Sequence, residues 1–233
     1  MKIAVMSDIH ANIYAFETVL NEFKSLKVDQ VLVCGDLIGY YYWPKEVLDH
    51  IVGNDMFVCI RGNHEDILKE TLSSNEAALS YRNKYGSGYD FCKRDLTVYQ
   101  LAWLESLPDN LEVNFDGISF FLSHGSLTST NEYLYPDLST DELIRNYSNS
   151  DFTVFGHTHY PFIHTNDGKY LLNPGSIGQP RDLGGYSSFV TISTHNKAVV
   201  FHKIKFEIAE IALACRRNDP GLKYLENIFN RGV

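Results

Sequence analysis

The chain has little of what would place it at a membrane, outside a reducing compartment, or on a nucleic-acid backbone. It has no CxxC pair: Cys34, Cys59, Cys92 and Cys215 are its four cysteines, scattered through 233 residues. Single cysteines of this kind, two of them inside apolar runs, read as reduced core residues and exclude a disulfide framework. No apolar run approaches the roughly 20 residues needed to span a bilayer. The apolar N-terminal run Met1–Met6 gives way to Ser7 and Asp8, too soon for a signal-peptide core. These absences predict a cytoplasmic protein with no membrane partner. A Lys/Arg-rich stripe is also missing. Against 20 Lys and Arg stand 29 Asp and Glu, for a net charge of -9, which repels phosphate backbones and excludes broad nucleic-acid binding. Repeats, linkers and low-complexity stretches are absent too, so one domain is expected over residues 1–233.

What is present is bulk apolar surface in short, regularly spaced pieces. Hydrophobic residues make up 44% of the chain, with 15 Tyr and 14 Phe, enough to bury a large core. Lys2–Met6, Val31–Cys34 and Met56–Ile60 are short continuous apolar runs, the mark of buried parallel strands. Between them, Ala11–Leu26 carries Phe16, Val19, Leu20, Phe23 and Leu26 on one helical face, with Asn12 as N-cap. Pro44 suits the first position of a second helix that turns Val47, Leu48 and Ile51 inward. This alternation predicts parallel pairing with right-handed crossovers. Residues 65–107 look helical, most clearly Leu96–Leu107. Asp116-Gly117 joins a hairpin of Leu111–Phe115 and Ile118–Ser123. Residues 125–150 form a polar excursion with one helix near Asp141–Tyr147. Phe152–Phe155 is a further strand, followed by hairpins over 162–172 and 187–206 and two short helices broken near Asp219-Pro220-Gly221. The expected fold class is α/β, a four-layer α/β/β/α sandwich of two mixed sheets.

Each apolar strand ends in a polar cluster competent to bind metal. These clusters are Asp8-Ile9-His10, Gly35-Asp36, Gly62-Asn63-His64, Ser123-His124-Gly125 and Gly156-His157-Thr158-His159. Parallel sheets place ligand sites beyond the carboxyl ends of their strands, so the clusters are expected on one rim. Taken singly, Asp-x-His or Gly-Asp is an ordinary turn and His124 an ordinary buried polar residue. Their joint occurrence argues otherwise. His10, His64, His124, His157 and His159 all fall at strand ends, whereas His50, His164, His195 and His202 fall on helix or hairpin positions.

These blocks, in this order, resemble the calcineurin-like metallophosphoesterases, whose pattern runs D-x-H, G-D, G-N-H-[DE], H, G-H-x-H. Ser7-Asp8-Ile9-His10-Ala11-Asn12, Asp36-Leu37-Ile38-Gly39-Tyr40 and Asn173-Pro174-Gly175-Ser176-Ile177-Gly178-Gln179-Pro180-Arg181 are similar to its small bacterial and archaeal phosphodiesterase branch. The likeness extends from residue 2 to about 205. It implies one metal on Asp8, His10, Asp36 and His159 and another on Asp36, Asn63, His124 and His157, with Asp36 shared and His64 catalytic. The Asp-Arg-Gly that follows the shared aspartate in protein phosphatases is absent here. The phosphate-gripping arginine and the acidic partner of the catalytic histidine are therefore missing from that place.

Mixed oxygen and nitrogen ligation without thiolate suits manganese first, then iron, zinc, nickel or cobalt, and is a poor cage for calcium. Two divalent ions about 3.5–4 Å apart share a hydroxide that attacks the phosphorus and clamp both the attacking and the leaving oxygen. Two dications against two carboxylates and that hydroxide leave a charge of about +1 to attract a phosphodiester. The function expected is a phosphodiesterase acting on a small nucleotide-type or dinucleoside-polyphosphate substrate. Its alternatives are a phosphomonoesterase or protein phosphatase, a nuclease, and a non-catalytic scaffold like the retromer subunit with this fold, which lacks the catalytic histidine. Three substrate contacts are candidates. Asn12 contacts phosphate or merely caps its helix, and Arg181 binds phosphate or lies at the surface. Tyr40, the first residue of the run Tyr40-Tyr41-Tyr42-Trp43, stacks on a base or packs its loop. Neighbours in regular structure point apart, so some of these four aromatics are expected to stand exposed beside the metals. The oligomeric state is left open, a homo-oligomer included.

Overall fold

The computed structural model describes residues 1–232. Its first three strands, β1 (Lys2–Met6), β2 (Gln30–Val33) and β3 (Phe57–Cys59), run parallel, with Ala4 opposite Val31 and Leu32 opposite Val58. The crossovers are α1 (Ile13–Leu26) and α2 (Pro44–Ile51). Residues 63–106 then form α3 (Asn63–Ser73), α4 (Asn75–Tyr85), α5 (Gly88–Asp95) and α6 (Val98–Ser106). The helical stretch read over 65–107 breaks where local chemistry dictates. Ser74 closes α3 and accepts the Ala77 amide to start α4, Gly86 at φ +86° ends α4, and Thr97 with Gln100 forms a capping box for α6.

The chain next forms β4 (Asn110–Phe115), β5 (Ile118–Ser123), α7 (Thr140–Ile144), β6 (Phe152–Val154), β7 (Phe162–Asn166) and β8 (Lys169–Asn173). It returns through β9 (Tyr186–Ser193) and β10 (Val199–Lys205) to α8 (Ala209–Asn218) and α9 (Tyr224–Asn227). Among the described residues the strands make two five-stranded sheets, ordered β10-β9-β1-β2-β3 and β4-β5-β6-β8-β7. Both are mixed: β9 is antiparallel to β1, while β5, β6 and β8 are parallel inside flanking hairpins.

Strand alternation divides the core into layers. Ile3 and Val5 face the second sheet with Leu32, Phe120, Leu122, Phe152, Val154, Val190 and Ile192, all fully buried. Ala4 and Met6 face the helices with Phe16, Val19, Phe23, Val47 and Leu48. The outer layer on the second sheet is thin, with Leu134 and Leu143 covering Phe155 and Leu171. Between the sheets, Phe120, Phe152 and Tyr170 lie directly opposite one another in register. Their rings stack at 5.1 Å and 4.6 Å, nearly parallel. Both sheets thereby present the carboxyl ends of their parallel strands to the same edge of the sandwich. The four cysteines are unpaired and buried, and no helix of the described residues is long and apolar enough to cross a membrane.

Exposed aromatics were expected at 40–43, and the structure corrects this. Tyr40, Tyr41 and Tyr42 are 6%, 0% and 3% exposed, and Trp43 is half-buried edge-on to Tyr14. The segment is neither helix nor strand. Gly39 and Tyr40 both adopt left-handed backbone angles (φ +86° and +58°), so the rule that neighbours point apart has no hold there. Tyr41 donates to the Leu225 carbonyl and Tyr42 to Asp219, fastening this loop to the C-terminal segment.

Removing the middle ring of this cross-strand stack leaves a cavity that the two facing sheets cannot close. Phe152→Ala is expected to lower the unfolding free energy by about 3–5 kcal/mol, as measured by urea denaturation with an unchanged m-value.

Candidate metal centre

The strand-end clusters converge. Asp8, His10, Asp36, Asn63, His124, His157 and His159 lie together at the shared edge, none more than 6% exposed. Their loops are woven into one another by backbone bonds. Asp8 N donates to Gly35 O, His10 N to Asp36 O, Gly156 N to His124 O and Gly178 N to Asp8 O, all within 3.1 Å. Several of these residues hold left-handed backbone angles that non-glycine residues seldom adopt: Asp8 (+57°), His10 (+52°), Asp36 (+55°), His157 (+60°) and His159 (+65°). Strain of this kind persists where the surroundings over-determine it, characteristically at functional sites. Gly62 is required by proximity, since a Cβ there would fall 2.1 Å from Asp36 Oδ1.

The protein turns five of the seven ligands inward by tying down the partner atom of each. His10, His124 and His159 direct Nδ1 at the carbonyls of Ile38 (3.1 Å), Cys34 (2.6 Å) and Gln179 (2.6 Å). Each Nδ1 therefore carries a proton and each Nε2 is the ring atom aimed inward to ligate, the usual second-sphere device of metal-binding histidines. The carboxylates follow suit. Asp8 Oδ2 accepts from His157 N (3.1 Å) and Asp36 Oδ1 from His64 N (2.8 Å), leaving Asp8 Oδ1 and Asp36 Oδ2 free. What then meets is ligand atom against ligand atom. His10 Nε2 is 3.1 Å from His159 Nε2, and His124 Nε2 is 3.1 Å from Asn63 Oδ1. Asp8 Oδ1 and His157 Nε2 are buried with no hydrogen-bond partner. Buried lone pairs facing one another are costly unless a cation lies between them, so this donor set fits metal ions.

The geometry sorts the atoms into two lobes. Asp8, His10 and His159 form one group of mutually close ligand atoms, and Asp36, His124 and His157 form another. Asp36 Oδ2 lies between them, 3.2 Å from His124 Nε2 and 3.8 Å from His10 Nε2. A third group joins His10 and Asp36 to His64. Electrostatics in the metal-free cluster reflect this crowding. Burial penalises the Asp8 carboxylate, yet His159 and His124 bring it down to about 2. Asp36 is likewise held well below the usual range, against burial, by His124 and His64. His124 is also opposed by burial, but Asp36 and Asp8 push it up to about 10. Burial lowers His64 and His157 to about 4 and, with His64, pushes His10 well down. Those three rings are neutral at pH 7, the state in which imidazole ligates.

The remaining candidates divide. Asn12 is a helix cap and not a phosphate contact. It is fully buried, its Oδ1 accepts from Ala15 N, and its Nδ2 donates to Gly178 O. Tyr40 braces the site, with its edge on His10 and its face on His64, both at 4.7 Å; its burial leaves no face for a base. The exposed aromatic at the mouth is Tyr133, 42% exposed, with its ring 4.1 Å from that of His157. The polar excursion over 125–150 hid it, because no spacing rule brings a loop residue to a rim. Half-buried Arg181 has its guanidinium 6.0 Å from the centre of the Tyr133 ring, and no carboxylate pairs with it among the described residues. The four other histidines are ordinary: His50 and His195 are exposed, His164 bonds Tyr147 and His202 bonds Thr191.

Glu65, the residue after His64, has a role its motif position did not disclose. Its carboxylate accepts from the backbone amides of Asp36 (3.0 Å), Leu37 (2.9 Å), Ile38 (3.3 Å) and Gly62 (2.8 Å). Burial and the charge of Asp36 push it up to about 7, while these amides favour the ionised form. It clamps the loop that carries Asp36 to the loop that carries Asn63. Glu65→Gln turns an amide NH2 toward those donors. It is expected to cost about 2–3 kcal/mol in denaturant unfolding of the metal-free protein and to weaken metal affinity roughly 10-fold or more in a calorimetric titration.

Comparison with known proteins agrees with this geometry. A model of the calcineurin-like phosphoesterase superfamily domain matches residues 1–197. An uncharacterized protein of Methanocaldococcus jannaschii is 31% identical over 225 residues, covering 88% of each chain. A phosphodiesterase of the same organism is 24% identical over 175 residues, covering 75% of this chain and 83% of its own. Among solved structures, a metallophosphoesterase from Sphaerobacter thermophilus superposes with a TM-score of 0.80 at 27% identity, covering 100% of both chains. With two mixed sheets, convergent ligands and the family model over most of its length, the chain belongs to the calcineurin-like phosphoesterases, a metal-dependent family of phosphoester hydrolases.

Proposed function

We propose that the protein is a phosphodiesterase with a dinuclear metal centre, acting on a small nucleotide-type or dinucleoside-polyphosphate diester. The observation that carries this is the pair of ligand lobes meeting at Asp36 Oδ2, each containing a buried ligand atom with no hydrogen-bond partner, Asp8 Oδ1 in one and His157 Nε2 in the other. Asp8, His10, Asp36 and His159 would hold one ion, and Asp36, Asn63, His124 and His157 the other, with manganese the first choice for these hard and borderline donors. Bound there, two such ions would activate a water nucleophile at neutral pH and supply positive charge to the phosphoryl group.

The chain's own residues do the rest. His64, 3% exposed, points Nε2 toward Asp36 Oδ2 at 3.9 Å, which supports a role for it at a phosphoryl or leaving oxygen. Arg181 brings an unpaired guanidinium to the same mouth, in place of the arginine missing after Asp36, and holds a second pair of phosphate oxygens. Tyr133, 42% exposed beside His157, is the contact for an aromatic substituent at the mouth. The missing Asp-Arg-Gly after Asp36 disfavours a protein phosphatase. The -9 charge also disfavours a nuclease. The buried, unpaired cysteines support the cytoplasmic placement expected from the sequence.

Hydrolysis of bis-p-nitrophenyl phosphate with added manganese tests this directly, followed by a screen of cyclic nucleotides and dinucleoside polyphosphates. His64→Ala is expected to keep its metals and lose about 10²–10⁴-fold in kcat; unchanged turnover would remove His64 from the mechanism. Inactivity of the wild type across several metals would favour a scaffold. Arg181→Ala is expected to raise KM for a dinucleoside polyphosphate about 10-fold or more, through loss of one charge-assisted contact, with little change for bis-p-nitrophenyl phosphate.

A further inference from the structure

His64 is held from behind by a residue that belongs to none of the motifs. Tyr89, in the first turn of α5, is 3% exposed and brings its Oη to 2.6 Å from His64 Nδ1, the two rings nearly parallel at 5.9 Å and 21°. Two glycines open the way. A Cβ on Gly39 would fall 2.2 Å from His64 Nδ1, and one on Gly88 would fall 2.9 Å from the Tyr41 carbonyl oxygen. Asp219 fixes the start of α5 by accepting from Ser87 N (3.0 Å), Ser87 Oγ (2.9 Å) and Tyr42 Oη (2.9 Å).

Counting donors and acceptors gives the direction of the bond. Tyr89 Oη has no other partner among the described residues. If His64 Nδ1 carried the proton and donated it, the phenolic hydrogen would be buried without an acceptor, a costly state. The satisfied arrangement has Tyr89 donating to Nδ1, so that neutral His64 bears its own proton on Nε2. This is the opposite of His10, His124 and His159, whose Nδ1 atoms donate to carbonyls and leave Nε2 as the atom that would ligate. The difference matters because His64 Nε2 lies close enough to His10 and Asp36 to complete a third ligand group.

We propose that Tyr89 is a positioning residue that fixes His64 as the Nε2–H tautomer, excluding it from the metal shell and making it a neutral hydrogen-bond donor to a phosphoryl oxygen. The catalytic half of this statement rests on the phosphodiesterase reading; the tautomer is a property of the chain itself. No proton transfer is involved: the Nε2–H bond stays intact while negative charge grows on the oxygen it faces.

The test is a long-range ¹H–¹⁵N spectrum of the full chain, metal-free and again loaded with diamagnetic zinc, with the His64 signals assigned by their loss in His64→Asn. The expected pattern is a protonated Nε2 and a bare Nδ1 in both forms of the wild type, shifting toward the other tautomer in Tyr89→Phe. A wild-type His64 protonated at Nδ1, or a tautomer unmoved in Tyr89→Phe, would overturn the proposal. Should the variant fail to fold, the wild-type spectrum still decides. In turnover, Tyr89→Phe should lose roughly tenfold in kcat at unchanged KM, equally for p-nitrophenyl and alkyl leaving groups. A loss confined to alkyl leaving groups would mean that His64 delivers a proton, and the donor role would fall. A wild type without hydrolase activity would sink the phosphodiesterase reading, and the spectrum would remain the judge of Tyr89.

Discussion

Two carboxylates and the imidazoles of His10, His124, His157 and His159 crowd into one buried volume, with ligand atoms as close as 3.1 Å and too few protons to satisfy them all: Asp8 Oδ1 and His157 Nε2 have no partner. Left alone, such an assembly would be expelled from a protein interior. Here every surrounding element works to keep it in place. Carbonyls hold the Nδ1 protons, backbone amides hold one oxygen of each aspartate, and Glu65 gathers four amides so that two loops cannot separate. Cations relieve the tension, and the affinity of the site for them is the counterpart of the repulsion the fold sustains without them.

Much of this was legible in the sequence. Strand, helix and hairpin boundaries follow from apolar spacing and from caps such as Asn12, Pro44 and Asp116-Gly117. The convergence of the clusters follows from one rule, that parallel strands deliver what succeeds them to a common rim. His157 and His159 were readable as a pair because an extended segment repeats every second residue. The inward aim of each ring was not readable, because it depends on carbonyls at residues 34, 38 and 179, remote in sequence from the histidines they orient.

The misjudgements have a shared cause. Periodicity governs regular structure, and the residues around the mouth of the site lie outside it. The aromatic run beginning at Tyr40 turns inward because two successive left-handed residues re-aim the chain. Tyr133 reaches the rim from a loop, and Asn12 spends both ends of its amide inside the protein. Tyr89 sits on a helix whose pattern reads as plain packing, and its bond to His64 crosses between elements. Phosphatase relatives place an acidic partner for the histidine next to the shared aspartate; here a phenol approaches from another direction.

The stretch that matches the superfamily ends at residue 197, yet Asp219 lies beyond it. That carboxylate seats α5, which carries Tyr89, while the Leu225 carbonyl receives Tyr41 from the loop just after the shared aspartate. The tail is thus masonry beneath the hearth. A version trimmed to the recognisable domain would retain every ligand and lose the footing of the residue that steadies His64. A segment outside the superfamily match can therefore bear on the site from behind without supplying a single ligand.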